Sequence, residues 1–289
     1  MLAKQGEIVY KIDNFATLLL CNRPSQKILM DNSRINNDAP TSQDAAQVSF
    51  GFKDIPASEK TGKVRSLFSQ VAGKYDLMND VLSGGLHRLW KEQFVAMMSP
   101  VAHKTYLDMA SGTGDIALKI AQRRGTGKGI YSADLTLDML KAGCEREQHY
   151  NQDIQRLCIN AEQLPFASGQ FDCYSIAYGI RNVTHIDKAL REAYRTLKQG
   201  GRFMCLEFSM PAVPMIQKIY DIYSFKLLPK LGKWIASDED SYLYLAESIR
   251  RFPSQEQFAQ MIREAGFKQV GFESLTAGIT TIHYGYKIE

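Results

Sequence analysis

Two hydrophobic rhythms alternate along this chain. Short, mostly apolar runs at Tyr106 to Met109, Gly129 to Asp134, Leu157 to Glu162, Phe171 to Gly179 and Arg202 to Phe208 read as strands and their exits. Between them, apolar positions take helical spacing: from Ile116, Leu118 and Ile120 onward, over Leu137 to Glu147, and over Asp187 to Lys198, where Ala189, Leu190, Ala193, Tyr194 and Leu197 recur. Gly200-Gly201 follows the last of these as a glycine cap. Strands alternating with helices predict a parallel sheet covered on both faces. Ser254 to Ala265 is a further helix, with an S-x-x-Q capping box between Ser254 and Gln257, and Gly266 closes it. Lys268 to Glu273 and Gly278 to Ile288 then form an antiparallel hairpin at the sheet edge. The expectation is an α/β, Rossmann-like fold with a mostly parallel seven-stranded sheet.

Three segments break the rhythm. From Met1 to about Val48, periodicity fades and Asn, Asp, Gln and Ser accumulate, so residues 1–48 read as an extension outside the domain. Lys4, Lys11, Arg23 and Lys27 around Phe15 to Leu20 give its first part the look of a targeting segment; Glu7 and Asp13 speak for a plain disordered tail. Residues 49–289 form one domain. Its opening, a helix over Glu59 to Ala72 and the run from Tyr75 to Trp90, stands ahead of the first central strand, where it folds either as a helical lid or as ordinary packing with Tyr75 and Trp90 in the core. The third break is a helical insertion at about 210–250. Its apolar residues from Ile216 to Ile235, interleaved with lysines, suit a greasy pocket, a membrane interface or a packed helical layer equally.

The candidate chemistry lies where strands turn into helices. In Asp108-Met-Ala-Ser-Gly112-Thr-Gly114-Asp115, Gly112 and Gly114 let a ligand approach the backbone, because a Cβ would fill that space or forbid the dihedrals. Gly112 to Ala117 also satisfies the dinucleotide pattern G-x-G-x-x-A. Asp115, however, stands at the first helical turn, where a pyrophosphate would rest on backbone N–H groups, and a carboxylate repels it. With Asp108 beside it, the loop suits a cationic ligand without phosphate. S-adenosyl-L-methionine carries an ammonium and a sulfonium. Asp134, twenty residues past Gly114, is placed to accept hydrogen bonds from ribose hydroxyls, and Asn160 and Ala161 to border an adenine. Arg181 and Asn182 lie just past the carboxyl end of the fourth strand and face a substrate.

Composition narrows the classes. A net charge of +4 comes from 35 basic and 31 acidic residues spread over 289 positions, which is no nucleic-acid footprint. Five cysteines without C-x-x-C spacing read as reduced thiols, not a zinc site, and no metal is expected. No apolar run approaches the roughly 18 residues of a spanning helix.

These motifs resemble those of the ubiquinone/menaquinone biosynthesis C-methyltransferases, above all the mitochondrial branch acting on a methoxy-polyprenyl-benzoquinol. The likeness runs from Phe50 to the last residues. Tyr75-Asp-Leu-Met-Asn79 through Ser83, Gly85, His87-Arg88 and Trp90 is similar to the amino-terminal signature, Asp108 to Asp115 to the cofactor loop, and Gly179 to Val183 to the substrate motif. Tyr220 to Phe225, Pro229, Gly232 and Ser241 to Ile249 resemble the signature that separates this family from other methyltransferases. Ser111, Gln199 and Ala177 depart from common glycine, proline and serine, the last at a cofactor contact. The resemblance implies the class I S-adenosylmethionine-dependent methyltransferase fold and cofactor contacts at Thr113, Asp134, Asn160 and Ala161. It also implies an arginine, Arg181, that initiates catalysis, directly or through a water. Tyr75, Asn182 and His283 are the candidates for orienting the ring. As partners it implies the polyprenyl benzoquinol, a membrane surface, other enzymes of ubiquinone biosynthesis in a complex, and a second copy of the chain. The expected place is the matrix side of the mitochondrial inner membrane, with the bacterial cytoplasm at the inner membrane as the alternative. A nicotinamide dehydrogenase and a non-catalytic scaffold are the rival classes.

Overall fold

The computed structural model describes residues 8–12, 16–20, 27–30, 46–147, 153–211 and 239–289. Three short strands, β1 (Ile8–Ile12), β2 (Ala16–Leu20) and β3 (Lys27–Met30), precede a small hairpin, β4 (Gln47–Phe50) and β5 (Lys53–Pro56). Helices α1 (Ala57–Val71), α2 (Tyr75–Ser83) and α3 (Leu86–Met98) follow. The alternating region is β6 (Tyr106–Met109), α4 (Asp115–Arg124), β7 (Ile130–Asp134), α5 (Leu137–Glu147), β8 (Gln155–Cys158), β9 (Phe171–Ala177), α6 (Ile186–Thr196) and β10 (Leu197–Phe208). It closes with α7 (Glu239–Arg251), α8 (Gln255–Glu264), β11 (Lys268–Leu275) and β12 (Thr280–Tyr286).

The sheet order is β1-β2-β3-β8-β7-β6-β9-β10-β12-β11. From β8 to β10 all neighbours are parallel, while β12 runs antiparallel to both β10 and β11. This stretch is the seven-stranded sheet expected from the sequence. The three early strands continue it past β8, in the segment read from the sequence as an extension outside the domain. The chain runs outward from β6 through β7 to β8, then returns to place β9 and β10 on the other side. The reversal leaves a crevice at the carboxyl ends of β6 and β9, where open parallel sheets bind ligands.

Strand alternation divides the core between the two faces. Leu107, Met109, Tyr174, Ile176, Phe203 and Cys205 pack with Leu190, Ala193, Phe258 and Ile262 of α6 and α8. Tyr106, Cys173, Met204 and Leu206 pack with Phe94, Val95, Ile116 and Ile120 of α3 and α4. Each such fully buried side chain contributes about 1.5–3 kcal/mol. The Ser254 capping box forms as read, with both of its reciprocal hydrogen bonds to Gln257.

One boundary differs from expectation. Helix α6 stops at Thr196 instead of Lys198, because Leu197 is extended and pairs with Phe171 in the sheet. Gly200 and Gly201 cap no helix. They form an irregularity inside β10, where the Gly200 N–H donates to the Lys287 carbonyl at 2.7 Å and the Lys287 N–H to that of Gly201 at 2.9 Å.

Candidate active site

At the end of β6 the chain turns sharply, with φ of +51° at Ala110, +57° at Gly112 and +84° at Gly114. Gly114 serves by its dihedral, as the left-handed residue from which α4 starts. Gly112 serves by its size as well: a Cβ there would lie 3.2 Å from Met139 Cε and 3.5 Å from Tyr75 Cε1. Its N–H donates to Asp134 Oδ2 at 2.8 Å, and the Thr136 N–H to Asp134 Oδ1 at 2.8 Å. Those donors oppose the burial that pushes the Asp134 carboxyl up.

Two cavities open on this loop and a third adjoins them, and Tyr75 and Tyr178 line all three. The first is walled by Gly112, Asp134, Asn160, Ala161 and Asn182 and roofed by Thr61, Val64 and Phe68 of α1. The roof is the expected lid, tied down where Lys60 Nζ donates to the Val183 carbonyl at 3.1 Å and Thr61 Oγ1 meets Thr184 Oγ1 at 2.9 Å. Of the two aromatics weighed for lid or core, Tyr75 faces the cavities. Trp90 belongs to the core, its indole N–H donating to Thr276 Oγ1 at 2.8 Å.

The second cavity is lined by Lys91, Asp108, Ser111, Thr113, Asp115 and Ala177. Asp115 is not the free acid expected: its Oδ2 lies 2.8 Å from Lys91 Nζ, and the pair is largely buried. The uncompensated carboxylate is Asp108. Ser175 Oγ donates to its Oδ1 at 2.8 Å, while Oδ2 makes no aligned hydrogen bond among the described residues. Burial pushes this carboxyl up to about 7, against the Ser175 hydroxyl, the Ala117 amide and the Lys91 charge.

The third cavity is apolar and aromatic, with Leu67, Phe68, Met78 and Phe208 around Arg181 and Tyr244. Arg181 occupies a single 3-10 turn, Ile180–Asn182, after β9. Its Nη1 donates to the Tyr178 carbonyl and to Glu207 Oε1, each at 2.6 Å, and its guanidinium lies over the Phe208 ring. Tyr178, at φ +57°, takes a conformation rare for a bulky residue, and such strain concentrates at functional sites. Asn182 Oδ1 accepts from the Tyr244 hydroxyl at 3.0 Å; burial pushes that phenol up to about 12.

Apart from His283, the residues predicted for the cofactor and the catalytic step gather at this crevice, with Gly114 shaping the loop and Thr113 and Asp108 in the second cavity. His283 does not join them. It sits on β12 between the rings of Phe258 and Phe272, its Nε2 3.0 Å from the Gln255 carbonyl, and burial holds the imidazole down at about 4. Sequence reasoning missed Glu207 and Lys91. A lone glutamate in the otherwise apolar run Phe203 to Phe208 of β10 was the available signal, since a strand buried on both faces tolerates a charge only when it is paired. The insertion signature from Tyr220 to Gly232, and the lysine-studded apolar surface read there, lie outside the described residues.

Among those residues no three His, Cys, Asp or Glu side chains form a metal site, and no helix is long and apolar enough to cross a membrane. Residues 56–287 match the model of the ubiE/COQ5 methyltransferase family. A Brucella anthropi protein named ubiquinone/menaquinone biosynthesis C-methyltransferase UbiE is 46% identical over 263 residues, covering 90% of this chain and 100% of that one. The protein of that name from Brucella abortus strain S19 is 48% identical over 244 residues, 83% of this chain and 91% of its own. Among solved structures, an S-adenosylmethionine-dependent methyltransferase from Thermotoga maritima, described as a possible histamine N-methyltransferase, aligns with a TM-score of 0.56 at 19% identity. That alignment covers 78% of this chain and 99% of that one. A Haemonchus contortus phosphoethanolamine N-methyltransferase 2 bound to S-adenosylhomocysteine aligns with a TM-score of 0.58 at 15% identity, covering 78% and 61%. At such identities the structural likeness is one of fold. With the family model spanning the whole site and close relatives matching nearly end to end, the chain belongs to the ubiE/COQ5 methyltransferase family and is an S-adenosylmethionine-dependent C-methyltransferase.

Proposed function

We propose that this enzyme methylates a ring carbon of a polyprenylated methoxy-benzoquinol, the reaction of ubiquinone biosynthesis. The observation that carries the reading is the third cavity, an aromatic and apolar space with one guanidinium fixed in its wall. A flat quinol ring with an ionised hydroxyl matches that chemistry. A menaquinone-type naphthoquinol is the second reading, because the Brucella relatives carry both quinones in their name.

The cofactor fits the residues present. Asp134 places a carboxylate in the wall of the first cavity, Gly112 leaves room where a Cβ would stand, and the unmatched Asp108 Oδ2 favours a cationic group in the second. Thr113, Asp134, Asn160 and Ala161 would hold it together with Gly112. When bound, S-adenosyl-L-methionine supplies an electrophilic methyl group.

The chain's own residues prepare the acceptor. A hydroquinone hydroxyl titrates near the tyrosine value of about 10. Ionised, it pushes electron density onto the ring carbons ortho and para to it. Arg181 is no base, since a guanidinium keeps its proton below about pH 12; it favours the phenolate electrostatically while the proton leaves to water. Glu207 and the Tyr178 carbonyl anchor that guanidinium through Nη1. Tyr75 and Tyr178 stand where the three cavities meet and exclude water there, and Asn182, held by Tyr244, orients a ring oxygen.

The reading brings with it a membrane surface that holds the prenyl tail, and as partners the neighbouring enzymes of the same biosynthesis and a second copy of this chain. The Brucella relatives are bacterial. That favours the bacterial inner membrane over the mitochondrion. The test is mass spectrometry of quinone intermediates in cells lacking the protein. A ubiquinone precursor one methyl group short is expected, and an unchanged quinone profile would overturn the proposal.

A further inference from the structure

Helix α3 reaches the site through one residue. Lys91 stands one turn after His87 on the buried side of the helix, and its ammonium enters the second cavity beside Asp115 and Asp108. The side chain is 7% exposed. An ammonium has three protons to donate, and a buried one is costly unless they are matched. Asp115 takes one of them at 2.8 Å. In the lining of the same cavity, Asp108 presents an oxygen without an aligned donor among the described residues. The cavity therefore offers one cation with donors to spare and one carboxylate with an acceptor to spare. A nucleoside has nothing to match that pattern, and neither does an apolar ring. A zwitterionic amino-acid group matches both halves of it.

We propose that Lys91 reads the α-carboxylate at the amino-acid end of the methyl donor, while Asp108 faces its ammonium, so that the enzyme recognises the donor at both its ends. The proposal rests on S-adenosylmethionine being the donor and adds a binding residue outside the glycine loop. It also gives α3 a function: the run from His87 to Lys91 delivers a charge to the cofactor. Asp115 becomes the partner that aims Lys91.

The test is calorimetric and needs no turnover. Wild type, Lys91→Met and Lys91→Arg are titrated with S-adenosylhomocysteine and with its decarboxylated analogue, which keeps the thioether, the adenosine and the amine. Wild type is expected to prefer S-adenosylhomocysteine by about 10- to 100-fold, the range of a buried charge-assisted hydrogen bond. Lys91→Met should bring that preference close to one while leaving affinity for the analogue unchanged, and Lys91→Arg should keep most of it. Equal loss of both ligands in Lys91→Met would overturn the proposal and make the lysine a support for Asp115. A wild type that does not distinguish the two ligands would overturn it without any variant, which covers the case of a Lys91→Met protein that does not fold. Failure of wild type to bind either ligand would instead remove the donor reading on which the proposal stands.

Discussion

Arg181 and Glu207 form an ion pair in the interior, with Nη1 2.6 Å from Oε1 and the two side chains 5% and 1% exposed. The Phe208 N–H also donates to the same carboxylate oxygen, at 2.8 Å. Burial pushes the glutamate up, and Arg181 draws it back. Breaking one side of such a pair typically costs about 3–5 kcal/mol. Glu207→Ala is therefore expected to lower thermal stability sharply. Glu207→Gln keeps the shape and loses the charge, leaving Arg181 less firmly placed. It should cut turnover by about 10²-fold, the scale of removing one electrostatic contact to the developing charge. Affinity for S-adenosylhomocysteine, measured by calorimetry, should stay at the wild-type value.

Asp108 makes the enzyme sensitive to pH before any substrate is bound. Its carboxyl is raised to about 7 by burial, against about 3.9 in the unfolded chain. Between those values the folded state holds a proton that the unfolded state has lost, so this group's contribution to stability falls as pH rises from 4 to 7 and stays low above. Asp108→Asn removes that slope. The variant should melt at a higher temperature than wild type at pH 8, and the two curves should converge toward pH 4. A cationic ligand placed beside the carboxylate lowers its pKa. Wild type should then release a fraction of a proton on binding S-adenosylmethionine at pH 7, and Asp108→Asn should release none. Calorimetry in buffers of different ionisation enthalpy reads that number directly.

Two glycines near the cofactor loop predict different consequences of the same added methyl group. At Gly112, a Cβ meets the flexible end of Met139 and the edge of Tyr75, and the left-handed φ adds about 1–2 kcal/mol. Gly112→Ala should fold with modest loss of stability and bind S-adenosylhomocysteine at least ~10-fold more weakly, by the same scale. At Gly143 on α5, a Cβ would stand 2.5 Å from the Thr113 carbonyl oxygen, which is backbone. Gly143→Ala must displace the loop itself and should unfold at a distinctly lower temperature than Gly112→Ala. Thermal melts of the two variants, with and without ligand, separate the effects.

The loop, Asp134, Asn160 and Arg181 were legible in the sequence because each sits where a strand ends, and strand ends are marked by apolar runs that stop. The central strands and the capping box at Ser254 were legible for the same local reason. Asp115 misled because its neutralising partner, Lys91, lies 24 positions earlier on another helix, and no local pattern joins them. Glu207 was hidden differently: its role depends on Arg181, 26 residues away on the neighbouring strand's exit. His283 looked usable as a ring-orienting group until the fold placed it between two phenylalanines on β12. Local chemistry announces a ligand-binding turn, whereas charge compensation is a property of the packed molecule.

The lid over the first cavity is held by two hydrogen bonds that involve neither ligand nor loop, Lys60 to the Val183 carbonyl and Thr61 to Thr184. Each contributes about 1 kcal/mol, so removing both in Lys60→Met/Thr61→Val should speed dissociation of S-adenosylhomocysteine by about 10- to 30-fold. Stopped-flow displacement measures that rate. Stability should respond in the opposite sense to a simple loss of bonds. Burial, partly offset by Glu162, holds the Lys60 ammonium down at about 8, against about 10.4 unfolded. Between these values the unfolded chain binds the extra proton, so wild-type stability gains from this group as pH rises from 8 to 10. The double variant should lack that gain. At pH 7, where a charged Lys60 is most costly to bury, its melting temperature should equal or exceed that of wild type; a large drop there would mean that the lid is held by Lys60 far more than by the packing of Val64 and Phe68.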